Sequence, residues 1–99
     1  MDTLKSALLG QKVIVRTYSA GVHIGELVAK AGKEVQLKDA HRLWYWKGAF
    51  TLNQVATDGI KSGSKVGAAV PTIELTEAIE IIPISDAAFA TLGAHVERL

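Results

Sequence analysis

The sequence has 99 residues, enough for one domain spanning residues 1–99, with a modest core. It has no cysteine, which excludes disulfides and thiolate metal sites, and no run approaches the roughly 20 apolar residues that span a bilayer. Because 48% hydrophobic residues are more than so small a domain hides easily, we expect a homo-oligomer. A soluble protein without a membrane partner is expected.

The net charge of +1 conceals an asymmetry along the chain. Residues 1–65 carry ten Lys and Arg against five Asp and Glu, and residues 66–99 carry one against five, giving +5 and −4. A basic front half suits an anionic ligand. The same asymmetry would also draw the two halves, or two subunits, towards each other.

The front of the chain predicts a short helix and then two strands. Asp2 can cap the helix, and the β-branched residues of 12–18 indicate the first strand. A turn at 19–21 leads into a second strand at 22–29. Gly25 stands in the middle of that strand, which is typical of a bulge or a sharp bend.

Two further strands are predicted before the first long loop. Residues 34–38 alternate as a half-buried strand, Asp39-Ala40 forms a corner, and residues 41–46 form another strand. Hairpin-connected strands of this kind build a strongly bent antiparallel sheet or a small barrel.

The middle helix carries a clear start signal. Thr51 can cap Gln54, Gln54 can reach back, and Phe50 can pack onto Val55 as a hydrophobic staple. The helix is expected to end near Gly59.

Residues 61–69, KSGSKVGAA, predict a flexible loop. It is either a solvated connector or a mobile lid whose Lys61 and Lys65 close on an anion. Residues 72–84 then predict two strands broken near 76–77, and Ser85 can cap a final helix. The predicted fold class is therefore mainly β: a small bent sheet or an Sm/SH3-like barrel with amino-terminal, middle and carboxy-terminal helices.

The string VHIGEL at 22–27, after a helix and a V-x-V strand, resembles the layout of Sm-like proteins. These have a short helix before a bent five-stranded barrel, and residues 35–40 fit their third strand. The acidic turn residue of that family is replaced here by Ala31-Gly32, its nucleotide-contacting asparagine has only Gln36 as a loose counterpart, and its I-R-G signature is missing.

Most of the chain resembles a family of small, uncharacterised proteins encoded mainly by bacteriophages. The strings that carry this resemblance are VIVRTYSAGVHIGEL, RLWYWKGA and EAIEIIPIS. It implies a phage protein in the cytoplasm of an infected bacterium. Small oligomeric phage proteins include sponges that sequester the signalling nucleotides of bacterial defence, and that role is suggested by analogy of size and source.

No catalytic or metal motif is present in the sequence. His23, His41 and His95 lie on three different elements, without metal-ligand spacing. No nucleophile elbow, readable triad or phosphate-binding glycine loop occurs. We therefore expect a non-enzyme that needs no metal and no cofactor.

An aromatic and basic constellation is the best candidate for a site. Indole rings stack on nucleobases, arginine grips phosphate with two parallel hydrogen bonds, and backbone N–H groups of a turn cradle oxygen atoms. The candidate ligand-binding residues are Arg16, Tyr18, Ser19, Gly21, His23, Arg42, Trp44, Trp46 and Lys47.

Each of these side chains also has a structural explanation. The tryptophans can anchor the core or a subunit interface. Arg16 can pair with Glu26 or Glu34, and a buried, hydrogen-bonded His23 is an alternative to a ligand contact.

The sequence thus predicts an oligomeric protein that binds and sequesters a small nucleotide-type anion. A ring that binds RNA or single-stranded DNA, and a structural or protein-interaction module of the phage, are the alternatives.

Overall fold

Six strands form one antiparallel sheet in the computed structural model, which describes residues 7–96. The strands are β1 Lys12–Thr17, β2 Val22–Ala31, β3 Glu34–Tyr45, β4 Lys65–Val66, β5 Val70–Leu75 and β6 Ala78–Pro83. The helices are α1 Leu52–Asp58 and α2 Asp86–Ala90, and α2 continues into a 3₁₀ helix, Thr91–His95. The predicted amino-terminal helix begins outside the described residues.

The strand order is β6-β1-β2-β3, and β3 carries two further partners along its outer edge. Strand β5 pairs with the first half of β3, and β4 pairs with its end. Strands β5 and β6 follow each other directly in the chain, but within residues 7–96 they do not pair, so the sheet stays open. The mainly β prediction is confirmed, in the form of an open sheet rather than a closed barrel.

The apolar residues fall into two clusters on the two sides of the sheet. One cluster, which includes Ile14, Ile24 and Leu43, packs against the helices. The other lies within the bend of the sheet and includes Val15, Leu27 and Leu37. Strand β1 is buried on both faces, because consecutive residues of a strand point to opposite sides and both sides are covered.

Strand β3 was predicted as two strands with a corner, and it is one continuous strand. The corner survives as a kink at Asp39, whose φ of 51° lies in the left-handed region. Aspartate tolerates this conformation better than most residues. The bend therefore turns the strand without ending its pairing to β2.

Gly25 lies where the register between β2 and β3 shifts, as predicted. A Cβ at this position would come within 2.9 Å of the Lys38 carbonyl oxygen and 3.0 Å of the Ala40 Cα. The glycine therefore lets β2 approach the bent part of β3 closely.

The helix caps predicted at Thr51 and Ser85 are confirmed, and the third predicted cap, Asp2, lies outside the described residues. The Thr51 hydroxyl accepts a hydrogen bond from the Gln54 backbone N–H, and the Ser85 hydroxyl accepts one from the Ala88 N–H. The predicted staple is wrong, because the Phe50 side chain is 96% exposed. Gln54 does reach back, but its Oε1 accepts from the N–H of Phe50.

The predicted loop 61–69 contains strand β4 and two buried residues. Val66 belongs to the core cluster next to the helices. The Ser64 hydroxyl accepts from the Lys47 N–H and donates to the Lys61 carbonyl oxygen. The predicted break near 76–77 is confirmed by the end of β5 and the start of β6.

Candidate ligand-binding groove

A groove of about 450 Å³ runs between the β1–β2 turn and the end of β3. The pairing of Val22 with Leu43 causes this arrangement, because it sets the turn before Val22 beside the residues around Leu43. The groove is lined by Ser19, Ala20, Gly21, Val22, Arg42, Leu43, Trp44 and Trp46. Five of these residues were predicted from the sequence, and they come from two segments that the topology brings together.

The two tryptophans contribute differently to the groove. Trp44 is 57% exposed, whereas Trp46 is half-buried and packs against the core cluster next to the helices. Trp44 therefore leaves more than half of its surface open to solvent. Trp46 packs against the core and also lines the groove, so it fits both the structural and the ligand-binding interpretation.

Among residues 7–96, Arg42 is the charged residue that lines the groove, and no carboxylate of these residues lines it. The Nζ atom of Lys65 lies 5.5 Å from the centroid of the Trp44 ring, a cation–π distance. The side chains of Lys47 and Lys61 pass close to Gly63 and Gly48, respectively. The loop lysines proposed as a lid thus lie near the carboxyl end of β3, and Lys65 contacts a groove residue directly.

The β1–β2 turn is held by its own hydrogen bonds. The Thr17 hydroxyl donates to the Gly21 carbonyl oxygen at 2.8 Å and accepts from the Ala20 N–H at 2.8 Å. Gly21 has a φ of 86°, which favours glycine. The N–H groups of Ser19 and Gly21 have no acceptor within residues 7–96, so they remain available to a ligand.

His23 stabilises this turn through a hydrogen bond and does not line the groove. Its side chain is buried, with 1% exposed, and Nε2 lies 2.9 Å from the Ala20 carbonyl oxygen. Burial lowers the pKa of His23, and the nearby positive charge of Arg42 lowers it further, against an opposing effect of the hydrogen bond to Ala20. The neutral imidazole is therefore favoured, with Nε2–H donating to Ala20.

Arg16 and Tyr18 lie apart from the groove lining. The Nε of Arg16 donates to Glu80 Oε1 at 3.0 Å, so its partner is on β6 and not Glu26 or Glu34. Tyr18 is 77% exposed, and its backbone N–H donates to the Glu77 carbonyl oxygen at the β5–β6 turn. Both residues belong to the β1–β6 side of the sheet.

The sequence missed three residues of the groove: Ala20, Val22 and Leu43. Their apolar or small side chains carry no chemical signal. To predict them, one would need the register of β2 against β3, because that register decides which backbone positions face each other across the two strands.

Within residues 7–96, no three His, Cys, Asp or Glu side chains come together to hold a metal ion. His41 Nδ1 lies 2.8 Å from the Gly67 carbonyl oxygen and so links β3 to the segment after β4. Among these residues, no helix is long and apolar enough to cross a membrane.

A family model described as a domain of unknown function, DUF6948, matches residues 10–92. The chain belongs to the DUF6948 family. The predicted membership of an uncharacterised family is thereby confirmed. No curated protein matches the chain.

One solved structure shows a distant likeness to this DUF6948 protein. A chain in "Crystal structure of the NatC complex bound to CoA" aligns with 93% of this chain and 99% of its own length, at 19% identity and a TM-score of 0.47. At that TM-score the likeness carries no weight for fold or function.

Proposed function

We propose that this DUF6948 protein binds and sequesters a nucleotide-type signalling anion, without catalysing a reaction. The observation that carries the proposal is the groove in which an exposed indole, Trp44, meets an arginine, Arg42, with no carboxylate among the lining residues that the structure describes. In this proposal the protein is phage-encoded and acts in the cytoplasm of the infected bacterium, in keeping with the resemblance found in the sequence.

The two groups supply complementary binding energy. Stacking of a base on an aromatic side chain contributes roughly 1–3 kcal/mol. A guanidinium adds two parallel, charge-assisted hydrogen bonds to a phosphate, and the Ser19 and Gly21 N–H groups are free to add others. No carboxylate of residues 7–96 lines the groove to compete with the phosphate for Arg42, which supports an anion as the ligand.

Titration calorimetry tests the proposal with the folded protein and a panel of nucleotides, including cyclic di- and trinucleotides and ADP-ribose. We expect at least one nucleotide to bind, and Arg42→Gln to weaken that binding by roughly tenfold or more, the cost of a hydrogen bond to a charged group. The matched control is Arg16→Gln, because Arg16 is an arginine of similar exposure whose partner is Glu80. No heat from any nucleotide, or equal losses in both variants, would contradict the proposal.

Self-association is part of the same proposal. Within residues 7–96, strands β5 and β6 each pair on one side only, and large apolar side chains such as Ile79 and Val70 are exposed on them. Unpaired strand edges with apolar side chains are typical places for subunits to join. Native mass spectrometry of protein taken from infected cells would report both subunit number and any retained small molecule.

A single-stranded nucleic acid is the second candidate ligand, favoured by the lysines near the groove. Lys65 contacts Trp44, and Lys47 adjoins Gly63 across the loop. A long nucleic acid engages many phosphates, so its affinity falls steeply with salt concentration, whereas one small anion gives a shallow slope. A salt titration with an oligonucleotide and with the best nucleotide separates the two candidates.

A further inference from the structure

We infer that the groove accepts one base and one phosphate group per protomer, so that its ligands are nucleoside monophosphates, linear or cyclic. This inference rests on the proposed function and narrows it. It separates a mononucleotide site from a site that needs both halves of a dinucleotide.

The number of exposed indoles limits the number of bases. Trp44 is 57% exposed, whereas Trp46 is half-buried and packs against the core cluster next to the helices. A base stacks on an aromatic ring that is open to solvent. Within residues 7–96 the groove lining therefore holds one largely exposed indole, that of Trp44, and offers a stacking surface to one base.

The charges limit the number of phosphates in the same way. Arg42 is the guanidinium in the lining, and the other arginine of the sheet, Arg16, is bound to Glu80 on β6. Lys65 contacts the Trp44 ring but does not line the groove. One guanidinium grips one phosphate bidentately, and within residues 7–96 no second guanidinium lines the groove for another phosphate.

The N–H donors of the β1–β2 turn are also few enough to suit a single phosphate. The Ala20 N–H already donates to the Thr17 hydroxyl at 2.8 Å, so it is not free to bind a ligand. The N–H groups of Ser19 and Gly21 have no acceptor within residues 7–96, and both residues line the groove with Arg42, so these two donors suit the oxygens of a single phosphate. A groove of about 450 Å³ lies at the small end of the usual range for ligand sites, roughly 300–1,000 Å³.

Calorimetry with matched pairs tests the inference: adenosine 5′-monophosphate against cyclic di-AMP, and guanosine 5′-monophosphate against cyclic di-GMP. A second base that stacks adds at least about fivefold in affinity. We expect a gain below that value for each dinucleotide, and one mononucleotide bound per protomer. A gain above fivefold, or binding of dinucleotides alone, overturns the inference and leaves the proposed function standing. Silence from every nucleotide overturns both.

Two variants of exposed aromatic residues show whether the groove is the place of binding. Trp44→Ala should weaken mononucleotide binding by roughly 5- to 100-fold, the loss of one stacking partner. Phe50→Ala removes a ring that is 96% exposed and outside the groove, so it should leave the affinity unchanged. Circular dichroism of both variants checks folding, and equal effects of the two changes would overturn the assignment to this groove.

Discussion

The two halves of strand β3 differ in how fully neighbouring strands cover them. The first half, residues 34–40, lies between β2 and β5, and its apolar residues Val35 and Leu37 are buried in the bend of the sheet. The second half, residues 41–45, pairs with β2 on one side and with only two residues of β4 on the other. Trp44 and Tyr45 are left exposed there.

This difference separates the scaffold from the candidate site within one strand. Full pairing on both sides fixes the first half, where alternation of buried and exposed residues follows the period of a strand. Incomplete pairing at the second half leaves aromatic and cationic side chains open to solvent beside the β1–β2 turn. Stability should therefore depend on the first half and ligand binding on the second.

The largest expected effect on the free energy of unfolding is that of Leu37→Ala in the first half of β3, and its counterpart in the second half is Trp44→Ala. Leu37 is fully buried, so its truncation should lower the free energy of unfolding by about 3 kcal/mol, as large-to-small changes in a core do. Trp44→Ala should cost less than about 1 kcal/mol, since surface changes usually cost little. Urea unfolding followed by circular dichroism measures both. A larger loss for Trp44→Ala would mean that a partner covers this indole.

Gly25→Ala on β2 should disturb strand β3 at the point where its two halves join. The added methyl group would meet backbone atoms of Lys38 and Ala40 within about 3.0 Å, and backbone cannot move aside as easily as a side chain. We expect a loss of about 2 kcal/mol in unfolding free energy, in the range for overpacking. The matched control is Gly93→Ala, which meets no atom within 4 Å and should be nearly neutral. Equal stability of the two variants would contradict the close approach at Gly25.

Asp39 tests the kink between the two halves. Its left-handed backbone costs a non-glycine residue roughly 1–2 kcal/mol, so Asp39→Gly should be neutral or stabilising, by up to about 1 kcal/mol. Asp39→Val should destabilise by about 1 kcal/mol or more, because β-branched residues resist this conformation. Thermal unfolding of both variants gives the comparison. A more stable Val variant would mean that the strand runs straight through this position.

The smallest expected effect is a pH dependence of the free energy of unfolding, caused by the buried His23 next to the β1–β2 turn. Because its folded-state pKa lies below the ordinary value of about 6.5, the unfolded chain binds more protons between the two pKa values. Stability from this group is therefore present above about pH 6.5 and is lost as the pH falls towards the folded-state pKa.

The control for this effect is His23→Gln, which keeps an N–H donor for the Ala20 carbonyl oxygen but does not titrate. Unfolding free energies of both proteins between about pH 5 and 7 should converge as the pH falls, since only the wild type loses stability at position 23. Parallel curves would show that His23 does not titrate in this range.

Features of the fold that depend on near neighbours in the chain were mostly predicted correctly. The caps at Thr51 and Ser85, the special role of Gly25 and the break at 76–77 each depend on a few neighbouring residues. The Phe50 staple failed although its motif is also local, because the side chain points into solvent once Leu52 and Val55 fill the interface.

Long-range contacts were beyond the sequence. Two of the predicted ligand-binding residues, Arg16 and Tyr18, come just before the Ser19–Gly21 turn in the chain, but neither is among the residues that line the groove. In the fold, Arg16 is drawn to Glu80, 64 positions away, because β1 pairs with β6 on the side opposite β2. The partner of a charged strand residue is set by sheet order, which no spacing in the sequence encodes.

The sequence by itself determined the mainly β class, most of the strands, the helix caps and the aromatic, basic character of residues 42–47. These depend on side-chain alternation, backbone propensity and hydrogen bonds between near neighbours. Only the tertiary structure decided that Arg42 and Trp44 share a groove with the Ser19–Gly21 turn while Arg16 does not. The register of β2 against β3 decides this, because pairing between strands, not distance along the chain, brings side chains together.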